Sequence, residues 1–283
     1  MTAHDKRLHA IRPDLADERL RGQVSSDRFV AGRPAHIVVP VANVLKEPSA
    51  DAGLSTQLQL GENVTVFDET GGWAWVQGGF DGYVGYVEAG SIGNVGAPAT
   101  HVVRVPRTFI YSGPDLKLPH RASLSMGASV AVTGSAETRG TRYAVLASGE
   151  AIIAEHLVPR GHDADDFVAV AEMLALTPYL WGGCTGFGID CSGLVQLSMR
   201  MAGRKALRDS DMQAETLGEP IEPGGQLRRG DLVFWKGHVA IMTDPETILH
   251  ANGHTMMVSR ERLADAVDRI GYLYGTPTGF RRP

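Results

Sequence analysis

The sequence has little that would place it among secreted, membrane-spanning or disulfide-rich proteins. It contains only two cysteines, Cys184 and Cys191, which is too few for a disulfide scaffold. No apolar run approaches the roughly 20 residues that a helix needs to cross a bilayer. The first 21 residues are polar and charged, without the apolar segment of a secretory signal. We therefore expect a cytoplasmic protein without a membrane span.

Positive charge and aromatic side chains are also scarce. Lys and Arg total 27 against 32 Asp and Glu, so the net charge is −5, and aromatic residues make up 7% of the chain. A nucleic-acid or anionic-membrane binder would need a basic surface, which this composition argues against. Glycine, by contrast, is abundant, at 34 of 283 residues. This length accommodates about two domains or three small ones, and the glycine content favours turn-rich β structure.

The first part of the chain divides into a charged arm and a β module. Residues 1–35 carry dense charge, and we expect an arm with at most one short helix around residues 16–22. From residue 36 to 96, apolar runs of strand length alternate with Gly, Asp and Ser. These runs cover residues 37–44, 64–67, 73–76 and 83–87. They predict a small all-β barrel.

A weak internal repeat predicts a second copy of this module over residues 97–159. Val38-Val39-Pro40-Val41 is echoed by Val102-Val103-Arg104-Val105, and residues 60–66 are echoed by residues 126–132. The second copy has no match for Trp73 and Trp75. We interpret these two aromatic residues as module core or inter-domain packing rather than as a carbohydrate platform.

Residues 160–283 change character again and predict an α+β domain. A helix follows a cap at Asp163 or Asp165, and a second helix begins at Cys191 and ends before Gly203, which takes the C′ position. Four strands are predicted over residues 232–236, 239–243, 248–251 and 256–259. A short helix over residues 260–268 and a last strand over residues 270–274 complete the domain. Helices followed by strands are typical of α+β proteins rather than of βαβ units.

Cys191 is the first candidate for chemistry. It follows a glycine-rich stretch and begins a predicted helix, where unpaired N–H groups and the helix dipole favour a thiolate. We therefore expect a lowered thiol pKa. A cysteine nucleophile also needs a base, and His238 and His250, on neighbouring predicted strands, are candidates.

Other interpretations of these residues stay open. A lone cysteine is usually a small buried apolar group, and most single histidines are structural. A zinc site is a second alternative, but six residues separate Cys184 from Cys191 and eleven separate His238 from His250. Neither spacing is a common zinc pattern. A Cys184–Cys191 disulfide is a third alternative, and it would remove the nucleophile.

Five segments of the C-terminal domain occur in the order seen in one enzyme family. They are Pro178-Tyr179-Leu180-Trp181-Gly182-Gly183, Asp190-Cys191-Ser192-Gly193-Leu194-Val195, Gly230-Asp231-Leu232-Val233-Phe234, Gly237-His238-Val239-Ala240-Ile241 and Leu249-His250-Ala251. Together they resemble the NlpC-type cysteine peptidases of the bacterial cell wall. The segments Gly72-Trp73-Ala74-Trp75-Val76 and Asp81-Gly82-Tyr83-Val84-Gly85-Tyr86-Val87 resemble bacterial SH3-like domains.

This resemblance implies a fold and a domain order. The expected fold is a papain-like α+β catalytic domain, over residues 160–283, preceded by two small all-β SH3-like barrels over residues 36–96 and 97–159. Two such barrels before the peptidase resemble the γ-D-glutamyl-L-diamino-acid endopeptidases. The family works without a cofactor, and its substrates are murein peptides.

The resemblance also implies catalytic roles. Cys191 would attack the scissile carbonyl, and His238 would act as base and then as acid. His250 would orient His238, as the third member of a triad does. The Tyr179 hydroxyl, beside the nucleophile, would stabilise the oxyanion together with the Cys191 N–H. Without the resemblance, Tyr179 is equally well interpreted as a loop aromatic packed on Trp181.

Substrate-binding residues follow from the same resemblance. Asp190 caps the helix and would also face the free amine of the substrate, and Ser192 flanks the nucleophile on its other side. Ser210 would contact the D-glutamyl carboxylate. Tyr83 and Glu47, from the first SH3-like domain, would help to recognise the N-terminus.

The expected function is hydrolysis of the γ-D-Glu–diamino-acid bond in murein peptides with a free N-terminal L-Ala, in cell-wall peptide recycling. Two alternatives stay open: a catalytically silent wall-binding or partner-binding protein, and a Cys–His acyltransferase or amidase acting on another γ-glutamyl substrate. The sequence leaves open the diamino acid, the oligomeric state and the roles of Cys184 and residues 1–35.

Overall fold

The chain divides into two compact units, Met1–Arg160 and Gly161–Pro283. The structure is a computed structural model, and it describes residues 4–222 and 224–283. Within these residues, no helix is both long enough and apolar enough to cross a membrane.

The charged N-terminal segment is fixed to the first β module. Its strand β1 (Ala16–Asp17) pairs in parallel with β2 (Phe29–Val30). Ala10 and Leu15 are buried in one cluster with Phe67 and Trp75 of the module. The short helix expected over residues 16–22 is wrong in extent: only a 3-10 turn, Glu18–Leu20, forms.

The first module is a seven-stranded antiparallel sheet. Its strands are β3 (Arg33–Ile37), β4 (Val41–Leu45), β5 (Leu54–Gln59), β6 (Asn63–Thr70), β7 (Trp73–Gly78), β8 (Val84–Glu88) and β9 (Ile92–Gly93). They are ordered β5-β4-β8-β7-β6-β3-β9, and a 3-10 helix spans Ala89–Ser91. The single run predicted over residues 37–44 is interrupted between β3 and β4. Pro40, which lacks a backbone N–H, lies in this break.

The second module repeats the same local pattern in two smaller sheets. Its strands are β10 (His101–Val103), β11 (Arg107–Tyr111), β12 (His120–Ser125), β13 (Ser129–Val130), β14 (Val132–Thr138), β15 (Thr141–Leu146), β16 (Ala151–Ile153) and β17 (Leu157–Pro159). They are ordered β13-β10-β17 and β12-β11-β16-β15-β14, and a 3-10 helix spans Ala154–His156. The β11–β12 hairpin lies 66 residues after the β4–β5 hairpin, in line with the offset of the sequence repeat.

The C-terminal unit packs helices against an antiparallel sheet. Its helices are α1 (Phe167–Met173), α2 (Cys191–Met201), α3 (Ser210–Thr216) and α4 (Leu263–Tyr274). Its strands are β18 (Cys184–Thr185), β19 (Gly188–Ile189), β20 (Glu219–Pro220), β21 (Leu232–Trp235), β22 (His238–Met242), β23 (Thr247–Asn252), β24 (Met257–Arg262) and β25 (Gly279–Arg282). Six strands form one sheet in the order β20-β25-β21-β22-β23-β24, and β18 pairs with β19. Because β22 and β23 are neighbours and α2 packs on both, the two predicted histidines lie on adjacent strands that contact the helix of Cys191.

Two predicted element ends in this unit are wrong. The cap of α1 is Asp166, whose carboxylate accepts from the N–H of Val168, rather than Asp163 or Asp165. The strand expected over residues 270–274 is the last part of α4. Ala266 and Ile270, four residues apart, are buried on one face of this helix, and that packing outweighs the strand propensity of the residues that follow.

Candidate active site

The start of α2 is held by a buried carboxylate and a close backbone approach. Asp190 is the N-cap, and its Oδ1 accepts from the N–H of Gly193 at 2.7 Å. A Cβ at position 193 would lie 2.3 Å from the carbonyl oxygen of Gly183. Only glycine therefore lets the first turn of α2 lie this close to the preceding loop, and Cys191 is the first residue of that turn.

Burial controls the state of the Cys191 thiol. Its residue is 7% exposed. Burial, and then the negative charge of Asp190, raise the pKa of Cys191 to about 12. Hydrogen bonds from the backbone N–H groups of Val239 and Ser192 oppose this shift without reversing it. The expectation of a lowered thiol pKa is therefore wrong for the resting site, because desolvation exceeds the effect of the helix N-terminus.

The two histidines contact each other directly. Nε2 of His238 and Nδ1 of His250 lie 2.8 Å apart and share one hydrogen. His238 is the first residue of β22, and its neighbour Val239 donates a backbone hydrogen bond to the Cys191 sulfur. Since Nε2 of His238 is occupied by His250, Nδ1 is the ring nitrogen left for the thiol.

Burial also keeps His238 uncharged. Burial first, with a smaller contribution from the positive charge of Arg269, lowers the pKa of His238 to about 3. Cys191 and His238 are therefore a neutral thiol and a neutral imidazole over the whole physiological pH range. A neutral thiol acting with a neutral imidazole would transfer its proton during attack on a carbonyl instead of storing a thiolate beforehand.

A carboxylate extends this line of polar side chains beyond His250. Nε2 of His250 lies 2.7 Å from Oε1 of Glu261, and Arg269 of α4 pairs with the same carboxylate. The hydrogen bond from His250, and then Arg269, lower the pKa of Glu261 to about 2 in spite of its partial burial. The sequence prediction missed Glu261, since no local motif marks it.

A second buried ion pair lies beneath the nucleophile. Arg208 is 1% exposed, and its guanidinium donates to both carboxylate oxygens of Asp190, at 3.0 and 2.7 Å. It also donates to Oγ of Ser192 at 2.8 Å. The predicted substrate-binding residues Asp190 and Ser192 thus share one internal cation. Arg208 lies two residues before the predicted site residue Ser210, but only the folded structure shows this contact.

Tyr179 and Ser210 lie on the segments that flank α2. Tyr179 is half-buried, and its pKa is raised by burial and by the charges of Cys191 and Asp190, so its hydroxyl keeps its proton beside the sulfur. Ser210 is the first residue of α3. Gln213 of that helix is fully buried and donates to the carbonyl of Ser192 at 2.9 Å, which fixes α3 to the turn of the nucleophile.

The two site residues predicted in the first module lie in the other unit. Tyr83 is 7% exposed, and its backbone N–H donates to Asp81 at 2.9 Å. Glu47 is exposed, just after β4. Their roles toward the substrate stay predictions.

Neither cysteine forms a disulfide. Cys184 and Cys191 are both buried thiols, so the disulfide alternative does not apply to this structure. Over residues 4–222 and 224–283, no three His, Cys, Asp or Glu side chains are grouped in a way that could hold a metal ion.

Comparisons with known proteins agree with the arrangement of the two units. Residues 44–92 match the family described as the bacterial dipeptidyl-peptidase Sh3 domain, and residues 176–267 match the NlpC/P60 family. The chain is 26% identical over 273 residues to a protein named dipeptidyl-peptidase 6 from Lysinibacillus sphaericus, covering 85% of this chain and 99% of that protein. It is 26% identical over 226 residues to a protein named γ-D-glutamyl-L-lysine dipeptidyl-peptidase from Bacillus cereus, covering 70% and 67% of the two.

A solved structure shows the same fold. A crystal structure of an NlpC/P60 family protein from Bacillus cereus ATCC 10987 superposes with a TM-score of 0.73 at 22% identity. The superposition covers 88% of this chain and 99% of the other. At this identity the likeness concerns the fold and not the substrate.

Proposed function

We propose that this chain, a cysteine peptidase with an NlpC/P60 domain after an SH3-like domain, hydrolyses the γ-D-Glu–diamino-acid bond of murein peptides with a free N-terminal L-Ala. The observation that carries the proposal is the buried Cys191 thiol, hydrogen-bonded by the residue next to His238, with His250 directly behind. The name of the Bacillus cereus relative, γ-D-glutamyl-L-lysine dipeptidyl-peptidase, supports this bond, and the name dipeptidyl-peptidase 6 supports release of a dipeptide. The cytoplasmic location and the recycling role stay predictions.

In the proposed reaction the proton moves together with the attack. The Cys191 sulfur bonds to the scissile carbonyl carbon while its proton passes to Nδ1 of His238. His238 then gives that proton to the leaving amine of the diamino acid, and a thioester remains. Water, deprotonated by His238, hydrolyses the thioester and restores the neutral thiol.

Two donors would stabilise the oxyanion of this reaction. The backbone N–H of Cys191 lies at the N-terminus of α2, where the helix leaves its first N–H groups unpaired. The Tyr179 hydroxyl stays protonated beside the sulfur and can donate. We propose that these two groups bind the oxygen that becomes negative in the tetrahedral intermediate.

Charge bears on how the free amine of the substrate is recognised. Arg208 neutralises Asp190, so this carboxylate alone supplies little net charge for an ammonium group. We therefore propose that Glu47 provides the additional negative charge for the free amine and that Tyr83 acts with it. Ser192 and Ser210 are the proposed contacts of the D-glutamyl carboxylate.

Defined murein peptides test the reaction. Purified protein is incubated with L-Ala-γ-D-Glu-diaminopimelate, the matching L-Lys peptide and the tetrapeptides, and products are identified by mass spectrometry. We expect release of L-Ala-D-Glu, and a loss of about 10⁴-fold in kcat/KM for Cys191→Ala. Cys184→Ala is the matched control for a buried cysteine. Unchanged turnover by Cys191→Ala, or cleavage at another bond, would contradict the proposal.

N-acetylated peptide tests the role of Glu47. If this carboxylate binds the free amine, Glu47→Gln should lower kcat/KM for the free peptide about 10-fold or more and leave the slow reaction of the acetylated peptide unchanged. Glu88→Gln removes an exposed carboxylate of the same module and should change neither rate. Equal effects of Glu47→Gln on both peptides would exclude amine recognition by this residue.

A further inference from the structure

Three side chains, one from each of the strands β22, β23 and β24, form one unbroken polar line behind the nucleophile. His238 contacts His250 at 2.8 Å, and His250 contacts Glu261 at 2.7 Å. In the β23–β24 pair, His250 lies opposite Ser259, so Glu261 is two residues along on the same face of the sheet. The side chain of His250 is 0% exposed, which leaves water no access to its two ring nitrogens.

The carboxylate dictates where His250 carries its hydrogen. Glu261 is ionised, and an ionised carboxylate can only accept hydrogen bonds. Any hydrogen that these two groups share must therefore be carried by Nε2 of His250. Arg269 pairs with the same carboxylate, so Glu261 has a cationic partner of its own. A neutral His250 with hydrogen on Nε2 has an unprotonated Nδ1.

The tautomer of His250 determines the tautomer of His238. In a neutral His250 with hydrogen on Nε2, Nδ1 can only accept, so Nε2 of His238 has to donate the hydrogen that the two rings share. A neutral His238 with hydrogen on Nε2 has a lone pair on Nδ1. That is the nitrogen that a proton acceptor for Cys191 needs to leave bare.

We propose that Glu261 is a positioning residue that sets the tautomers of both His250 and His238, so that His238 presents an unprotonated Nδ1 to Cys191. The proposal rests on the cysteine peptidase function proposed above, and Arg269 acts in it by holding the carboxylate of Glu261. Without the carboxylate, the shared hydrogen can sit on either ring, and His238 can carry its own hydrogen on Nδ1, where it cannot accept from the thiol.

Nitrogen-15 NMR of the histidine rings tests the proposal without any substrate. In the unmodified protein near pH 7 we expect both His238 and His250 to be neutral with hydrogen on Nε2. In Glu261→Gln, whose amide can donate to Nε2 of His250, we expect a mixed population with hydrogen on Nδ1. Detection of hydrogen on Nδ1 of either ring in the unmodified protein, or of a doubly protonated His250, would overturn the proposal even if the variant fails to fold.

Kinetics provide the second readout. Glu261→Gln should lower kcat about 10- to 100-fold with little change in KM, because the residue acts on the base and not on substrate binding. Glu261→Asp, which keeps the charge, should recover part of this loss. Glu246→Gln, at an exposed carboxylate of the same unit, should have no effect. A folded Glu261→Gln with unchanged kcat and unchanged tautomers would reduce Glu261 to a structural role.

The two proposals fail in different ways. If murein peptides are not cleaved at all, the proposed substrate is wrong, but the ring tautomers still decide the role of Glu261. If the peptides are cleaved and the tautomers do not depend on Glu261, only the further inference is lost.

Discussion

Single residues of this site are kept uncharged by burial rather than activated by it. Desolvation raises the pKa of Cys191 and lowers the pKa of His238. The two shifts have opposite signs, but each favours the uncharged form of its group. The prediction of a lowered thiol pKa, from the helix N-terminus and the glycine-rich stretch before it, applies to a cysteine that water can reach. It fails here because Cys191 is closed off from water, a property that the sequence does not display.

The first prediction at the residue scale concerns acid stability. The folded pKa of His238, about 3, lies below its ordinary value of 6.5, so between these values the unfolded chain binds the additional proton. Stability is therefore lost as the pH falls through this window, by about 2 kcal/mol between pH 7 and pH 5. Glu261, with its pKa lowered to about 2, adds a loss of the same sign below about pH 4.5.

Urea unfolding at the two pH values, followed by hydrogen exchange in β22 and β23, measures this loss. His238→Gln removes the titrating ring and should make the difference between pH 7 and pH 5 much smaller. His254→Gln, at an exposed histidine in the turn after β23, serves as the control and should preserve it. An equal pH dependence in His238→Gln and the unmodified protein would show that this ring is not the cause.

At the scale of elements, the start of α2 can lie close to the preceding loop because Gly193 has no side chain. A Cβ at position 193 would lie 2.3 Å from the Gly183 carbonyl, and the Asp190 cap binds the same turn. Cys191, the Asp190 cap and the loop that precedes them are therefore packed as one turn. A small displacement of this turn would shift the sulfur relative to β22.

Two glycine-to-alanine changes in helices separate this contact from helix propensity. Gly193→Ala should push the start of α2 away from its loop, lowering kcat/KM at least 100-fold and stability by more than 1 kcal/mol. Gly271→Ala, in α4 with nothing within 4 Å of the added Cβ, should raise stability by about 0.5 to 1 kcal/mol and leave activity unchanged. Thermal unfolding and peptide hydrolysis measure both, and a fully active Gly193→Ala would contradict the packing argument.

The sequence predicts an element well where both of its ends are marked locally. The bounds of α2 follow from Asp190 and from Gly203, whose φ of +68° ends the helix, and that prediction is confirmed. The strand expected over residues 270–274 is wrong, because Tyr272 and Tyr274 favour strands by type but lie exposed on a helix. Glu261 and Arg208 could not be predicted, since each depends on a partner that only the folded chain brings near.

For the whole molecule, the predicted α+β fold class, an NlpC-type domain after SH3-like structure, is confirmed. Pattern sufficed at this scale because alternating short strands and a helix-then-strand order survive substitution of individual residues. The N-terminal segment was harder to predict. Its charge suggested an arm, whereas Ala10 and Leu15 contribute to a core with Trp75.

The prediction at this scale is that the C-terminal unit folds by itself. Gly161–Pro283 has its own core, which includes Val233, Met242 and Ile270. Expressed alone, it should give a cooperative unfolding transition and should still hydrolyse murein peptides, with weaker discrimination against N-acetylated substrate. Circular dichroism, urea unfolding and the peptide assay test this expectation. A fragment with no cooperative transition would show that the unit depends on the rest of the chain.

The closed, protonated state of Cys191 also bears on how the protein meets reactive small molecules. Electrophiles and peroxides attack the anionic form of sulfur far faster than the neutral form. Because burial raises the pKa of the Cys191 thiol, its sulfur should react slowly with peroxides and general alkylating agents. Covalent inhibitors that place an electrophilic carbon where the scissile carbonyl lies would still engage the imidazole and react, so selectivity would come from shape and position and not from warhead strength.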